Sequence, residues 1–318
     1  MKILVYIQHD NSNISSVSLE ALKGAQEIVE KAGGDVVALT FSSSVGEKLI
    51  GYDLSEVLLI NNSQLETYNP MYYVKAMEDV FRAESPDILV FAHSYEARDW
   101  VPRLSARLDI PFVSDCTGIK MDNNLTLVRS VYQGKFNSDL SVNSDKFILS
   151  FQSGAFRVDT LKFGSASIRN ISVDLSGVSD SIQPGEKFQE SETSVDLSQA
   201  EVIISVGRGI GKEENLSIAR DLAAALKGEL ASSRPVVDSG WLEPYHQVGS
   251  SGQTVAPKLY LALGISGAIQ HIVGMKGSKN IVVINKDANA PIFEIADYGV
   301  VGDIFEIVPK LLSAIQNS

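Results

Sequence analysis

Three short motifs decide how this chain is read: Ser233-Arg234-Pro235, Val248-Gly249-Ser250-Ser251-Gly252, and Gly264-Ile265-Ser266-Gly267-Ala268-Ile269-Gln270-His271, followed by an apolar run that ends in Asn285. The residue before a proline is pushed toward extended backbone, so Arg234 is expected to project from a strand end. Residues 248–252 hold too much glycine and serine for regular structure and read as a loop able to approach a ligand closely. Gly264 to Gly267 is expected to open a helix reaching Val273, whose first N–H groups and positive dipole end favour phosphate or a developing negative charge. One guanidinium, several hydroxyls, one imidazole and many free amides together form a cradle for a large, flat, anionic cofactor.

Outward from these motifs, apolar runs and helical periodicity alternate. Strands are expected at Val202–Val206, Val236–Val237, Ile281–Asn285 and Tyr298–Val301. Helices are expected at Glu214–Leu226, at Pro257–Leu263 with proline at its start, and at Ile304–Ile315, where Pro309 kinks or restarts the helix. The pattern predicts a doubly wound α/β domain over 200–318, with ligands at the carboxyl ends of its strands. Gly207-Arg208-Gly209-Ile210-Gly211 follows a strand, and reads either as a phosphate loop or as a plain turn. Its glycine spacing is not the dinucleotide fingerprint, and Leu226-Lys227-Gly228 stands where the acidic partner belongs. Gly249-Ser250-Ser251-Gly252 is not a Walker loop, since no Gly-Lys-Ser/Thr follows.

The first half, 1–183, reads as a separate α/β domain with a parallel sheet. Its strands are Ile3–Ile7, Val36–Phe41, Val57–Ile60 and Ile88–Ala92. Its helices are 17–32, stopped by Gly33-Gly34, and segments near Gly46–Ile50, Met71–Ala83 and Trp100–Leu108. Leu125–Tyr132, Lys146–Gln152 and Ile168–Leu175 are expected as antiparallel hairpins added to that sheet. Residues 184–199, short of large apolar side chains and rich in Glu and Ser, are the expected linker.

With 27 Lys+Arg against 39 Asp+Glu, the net charge of −12 excludes a nucleic-acid or anionic-membrane partner. The lone cysteine, Cys116, permits no internal disulfide and reads as a small buried hydrophobe in a protein of a reducing compartment. The apolar start, Met1 to Ile7, is too short for a signal sequence, and no apolar run approaches the roughly 20 residues of a membrane span. The protein is therefore expected in the cytoplasm. His9, His93 and His246 have no metal-ligand spacing with a cysteine or carboxylate, so no metal is expected.

Ser233-Arg234, Gln247-Val248-Gly249, Val255 through Tyr260, Gly264 through His271, and Ile284-Asn285-Lys286-Asp287 through Phe293 occur in the order found in the FAD domain of the electron transfer flavoprotein alpha-subunit (FixB-like) family, which this chain resembles from Val202 onward. The first half resembles the family in length and strand pattern. The resemblance implies an N-terminal domain of the adenine nucleotide hydrolase-like kind and one FAD in the second. It carries the cofactor role onto Arg208, Ser233, Arg234, Gln247, Val248, Gly249, Ser250, Ser251, Gly264, Ser266, Gly267, Ala268, Ile269, Gln270 and His271. It assigns Asp303 to ribose hydroxyls, with Asn285 nearby, although N-capping of the last helix explains Asp303 equally well. Ser250-Ser251 stands where many family members have Gln-Thr, so Ser251 keeps a hydroxyl for the flavin N5/O4 edge without the stiffening β-branch. His271 is expected at the N1/O2 edge, and the fixed charge of Arg234 beside the ring.

The resemblance further implies a heterodimer with a beta subunit that carries AMP or a second FAD. Its electrons come from dehydrogenases, such as the acyl-CoA dehydrogenases of fatty acid beta-oxidation, and leave to a quinone-linked or other redox acceptor. No catalytic residue is named, because the motifs supply no acid/base pair or nucleophile for substrate chemistry. Two other readings stay open: a flavin- or NAD-dependent oxidoreductase subunit acting on a small substrate, and a cofactor-free interaction subunit.

Overall fold

A computed structural model describes residues 1–10, 12–122, 124–132, 134–179, 181–185, 197 and 200–316. The chain divides into two compact units, Met1–Val131 with Phe136–Lys187, and Tyr132–Lys135 with Phe188–Ser318. Of the expected linker, only residues 184, 185 and 197 are described.

The first unit runs β1 (Lys2–Tyr6), a two-residue hairpin β2 and β3 (His9–Asp10, Asn13–Ile14), α1 (Ser16–Ala32), β4 (Asp35–Thr40), α2 (Ser43–Leu49), β5 (Glu56–Leu59), α3 (Pro70–Glu84), β6 (Ile88–Ala92) and α4 (Tyr95–Leu108). It continues with β7 (Phe112–Met121), β8 (Leu125–Val131), β9 (Phe136–Leu140), β10 (Phe147–Phe151) and β11 (Ile168–Asn170). Nine of these strands form one sheet in the order β11-β5-β4-β1-β6-β10-β7-β8-β9. Alternation along β1 builds both faces. Ile3 and Val5 pack under α1 and α2, while Leu4 and Tyr6 pack under α3 and α4 with Trp100 fully buried.

Among the described residues of this sheet, the antiparallel pairs are β7–β8 and β8–β9. Lys146–Gln152 is not a hairpin strand: β10 pairs in parallel with β6 on one side and β7 on the other, and all five of its residues are buried. A strand covered on both faces reads as a continuous apolar run, and that is how parallel sheets are made. The Ile168–Leu175 segment contributes the three residues of β11, also in parallel, beside β5. Cys116 is buried and free, its thiol pushed up to about 12 by burial, which leaves it unreactive.

One carboxyl in this unit is out of place in a core. Glu20 of α1 is 7% exposed and accepts hydrogen bonds from the amides of Gly154 and Ala155, yet burial pushes its titration up to about 8. A folded-state value raised above the unfolded one gives stability that is whole below about pH 4.5 and is lost as pH climbs to about 8. Glu20→Gln, which keeps an accepting oxygen, is expected to lose that dependence. The difference in unfolding free energy between wild type and variant, read from urea titrations, should change by up to about 1.4 kcal/mol per pH unit across this window, and a flat difference would show the carboxyl to be ordinary.

The second unit runs β12 (Val202–Val206), α5 (Leu216–Ala225), β13 (Glu229–Ser232), α6 (Arg234–Asp238), β14 (Leu259–Leu263), α7 (Ile269–Val273), β15 (Ile281–Asn285), β16 (Tyr298–Val301) and α8 (Ile304–Gln316). Its five strands are all parallel, in the order β13-β12-β14-β15-β16. This is the doubly wound sheet the sequence predicts, but three of its parts differ from expectation. Pro257–Leu263 is no helix: its last five residues are the central strand β14, whose Tyr260, Ala262 and Leu263 are completely buried. Val236 and Val237 are not a strand but lie in α6, where proline is favoured in the first turn, and the strand before it is β13. Gly264 to Gly267 does not open a helix, because α7 begins at Ile269 after an N-cap at Ala268. Pro309 lies inside α8, which continues through it. Among the described residues, no helix is long and apolar enough to cross a membrane.

Candidate cofactor site

Four strands end at one place. β12 runs out into Gly207 and Arg208, β13 into Ser233, β14 into Gly264 and β15 ends at Asn285. In the order β13-β12-β14, the chain leaves β12 toward one side and returns on the other, so the crevice between β12 and β14 is the switch point of the sheet. There the backbones nearly touch: the Gly207 amide donates to the Leu263 carbonyl and the Gly209 amide to that of Gly264. A Cβ on Gly207 would stand 2.3 Å from the Gly264 oxygen, which accounts for glycine at that position. The 207–211 segment itself is a short 3-10 turn, Arg208–Ile210, with Arg208 exposed.

Above this crevice lies a cavity of about 630 Å³. It is lined by Arg208, Ser233, Arg234, Gln247, Val248, Gly249, Ser250, Ser251, Gly264, Ser266, Ala268, Gln270, His271 and Asn285, all singled out from the sequence. Three expected residues are not in its wall. Gly267, with φ +87°, is buried against Ile292, and Ile269 is partly exposed. Asp303 sits at the start of α8, where its Oδ1 accepts from the Phe305 amide at 2.8 Å, a cap and not a cavity contact. Gly209, Pro235, Asp238, Ile265, Asp287 and Ala290 also line the cavity, and only their proximity in sequence to the motifs could have signalled them.

Arg234 does not project from a strand end. It is the first residue of α6, two-thirds exposed, with its Nε 3.3 Å from Asp238 Oδ2 one turn later. The 247–252 loop is tied on both sides. Gln247 Nε2 donates to Ser251 Oγ at 2.9 Å, and the Ser250 amide donates to the Gln270 carbonyl at 2.7 Å. Asn285, 8% exposed, donates to the Ile265 carbonyl and accepts from the Asp287 amide, which fixes the turn after β15.

His271 is buried and already engaged. Its Nδ1 lies 3.0 Å from the Val248 carbonyl oxygen and its Nε2 2.9 Å from the Tyr260 hydroxyl. Burial pulls the imidazole down to about 4, so the ring is neutral at physiological pH. A nitrogen reaches a ligand only if one of these two partners gives it up. Neither Tyr260 nor the neutrality of His271 was foreseen, since an apolar run gives no signal that one of its phenols turns toward a histidine.

The donor set fits an FAD. Two exposed guanidiniums suit phosphate oxygens and an electron-rich ring. Loop hydroxyls and amides supply hydrogen bonds, and glycines at 249 and 264, with φ +142° and +62°, bring backbone rather than side chain to the wall. Among the described residues, no three His, Cys, Asp or Glu side chains are grouped to hold a metal.

Comparisons with known proteins agree with this geometry. The family profile described as "Electron transfer flavoprotein domain" matches residues 3–176, and "Electron transfer flavoprotein FAD-binding domain" matches residues 196–276. The chain is 34% identical to the "Electron transfer flavoprotein subunit alpha" of Thermoanaerobacterium thermosaccharolyticum, over 99% of this chain and 97% of the relative. It is 35% identical to the protein of the same name from Bacillus subtilis, over 98% and 96%. It is also 31% identical to "Lactate dehydrogenase (NAD(+),ferredoxin) subunit LctC" of Acetobacterium woodii, over 99% of this chain and 77% of the relative.

Proposed function

This chain belongs to the electron transfer flavoprotein alpha-subunit family and is an FAD-binding electron-transfer subunit; from that premise we propose that the cavity at the strand ends of residues 200–318 is where its FAD sits. The observation that carries the reading is the convergence of both cavity arginines and the 247–252 loop on the switch point of a doubly wound sheet. Bound FAD supplies the redox chemistry, accepting and releasing electrons at its ring. The protein's own residues bind and tune. Arg234 sets a permanent positive charge at the cavity wall, Arg208 offers a second, and Ser251, Gln247 and the loop amides orient by hydrogen bonding.

The same reading makes the chain a carrier without substrate chemistry of its own. Among the described residues that line the cavity there is no nucleophile–base pair, since His271 has both ring nitrogens taken by Tyr260 and Val248. A beta subunit carrying AMP or a second FAD completes the heterodimer, with residues 1–183 as the part that meets it. Dehydrogenases such as acyl-CoA dehydrogenases load it and a quinone-linked or other redox acceptor empties it, in the cytoplasm. The acidic charge and lone buried cysteine support that setting. One finding favours a second reading: a relative bears the name of a lactate dehydrogenase subunit, so this chain can also serve as the flavin subunit inside an oxidoreductase complex.

Purification from the native cell with its partners separates the two. A yellow heterodimer reduced by a dehydrogenase with its substrate, and not by NADH, is the expected result. A stable complex that turns over NADH or a hydroxy acid directly would replace the carrier by the enzyme subunit, and a colourless heterodimer with added FAD would remove both.

A further inference from the structure

Tyr260 lies in the middle of the central strand β14 and is completely buried, on the sheet face covered by Val248, Val255 and Ile265. A phenol in such a place needs a partner, and it finds His271 Nε2 at 2.9 Å. The other ring nitrogen, Nδ1, faces the Val248 carbonyl oxygen at 3.0 Å. A carbonyl only accepts, so Nδ1 carries the hydrogen. A neutral imidazole has one N–H, so Nε2 must accept, and the Tyr260 hydroxyl is the donor. The two contacts together leave one consistent assignment.

Charge does not disturb that assignment. Tyr260 is the titratable group that faces the ring from β14, and neither α7 nor the 247–253 loop contributes another. The cavity's charged side chains, Arg208, Arg234, Asp238 and Asp287, stand on other segments, and burial rather than any of them is the chief cause of the low proton affinity of the ring.

We propose that Tyr260 is a positioning residue of the cofactor site, holding His271 as the neutral Nδ1–H tautomer and so setting the pH at which the imidazole takes a proton when negative charge enters the cavity. The proposal rests on the cavity being the FAD site. Added electrons raise the proton affinity of a neighbouring base. A proton from solvent then binds at Nε2, and the Tyr260 oxygen turns from donor to acceptor by rotation of its own O–H, with no heavy atom displaced. Nothing else is consumed: one proton enters and no bond between heavy atoms changes. His271 thus becomes a proton site linked to reduction, and Tyr260 fixes its threshold.

The test is the 15N spectrum of histidine-labelled, FAD-loaded protein in its complex, with His271 assigned through His271→Gln. The chain holds four histidines, so the spectrum is readable. In the oxidised wild type His271 is expected as the Nδ1–H tautomer at pH 7. Tyr260→Phe removes only the hydroxyl, whose oxygen bonds the protonated Nε2–H more strongly than its O–H bonds the neutral ring, and should lower the proton affinity of His271 roughly tenfold, the scale of one net hydrogen bond. The bend in the plot of flavin potential against pH should move to lower pH with it. An Nε2–H or cationic His271 in the oxidised wild type overturns the proposal without any variant. So does a folded Tyr260→Phe protein whose tautomer and potential–pH curve both match wild type. Loss of flavin absorbance from the wild type would instead overturn the cofactor reading itself.

Discussion

Arg234→Ala is expected to reduce FAD retention by at least tenfold and to lower the potential of the first electron, while leaving the fold intact. The fold is spared because the arginine side chain is 67% exposed and its ion pair with Asp238, itself 59% exposed, contributes at most about 1 kcal/mol. The cofactor is not spared. A unit charge about 5 Å from an added electron, at an effective dielectric constant near 20, is worth roughly 3 kcal/mol, or on the order of 100 mV for a one-electron step. Arg234→Lys keeps the charge but loses the planar fork, so it should restore most of the potential and less of the affinity. Equilibrium dialysis and a spectroelectrochemical titration read the two effects separately. Retention and potential both at wild-type levels in the alanine variant would place the guanidinium away from the ring.

The parts of the site visible in the sequence are those whose signals are local. β12 and β15 are short apolar runs bounded by polar residues, and the sequence names both within their true limits. β14 has the same character, but Pro257 ahead of it resembles a helix start, and four buried residues in a row carry no period to settle the matter. α6 fails in the opposite direction: two valines after a proline favour extended structure locally, while Val236, fully buried in the core beside α5, holds them in a helical turn. The cavity is legible all the same because it is made where strands stop, and the glycine and serine turns that mark those stops are local in sequence. What is tertiary stayed hidden. Nothing in Leu259-Tyr260-Leu261 announces that its phenol meets His271, whereas the cap at Asp303, which is local, is legible in the sequence.

Gly274→Ala is expected to cost most of the bound FAD and to lower the stability of the second unit, against the usual sign for such a change. Gly274 has φ −79° and ψ −10°, a conformation that alanine adopts freely, and glycine to alanine at a compatible site normally stabilises by about 0.4–1 kcal/mol. Space decides otherwise. The added Cβ would stand 2.5 Å from both the nitrogen and the Cα of Gly249, which are backbone atoms with no rotamer to escape into. Gly249 cannot retreat cheaply: its φ of +142° and its closeness to the Gln270 carbonyl lock it against α7. The loop must therefore lift, and with it go the Ser250–Gln270 and Val255–Gly274 backbone hydrogen bonds and the Val248 carbonyl that holds His271. Overpacking of this kind costs about 1–3 kcal/mol, and the displaced residues, Val248 to Ser251, are cavity wall. Gly118→Ala is the control, because a Cβ there meets nothing within 4 Å. Thermal midpoints and flavin content of the two variants should diverge, with Gly118→Ala close to wild type and Gly274→Ala depleted in both. Equal behaviour would mean that the loop and α7 stand further apart in solution, and that the wall of the cavity is not held by backbone contact.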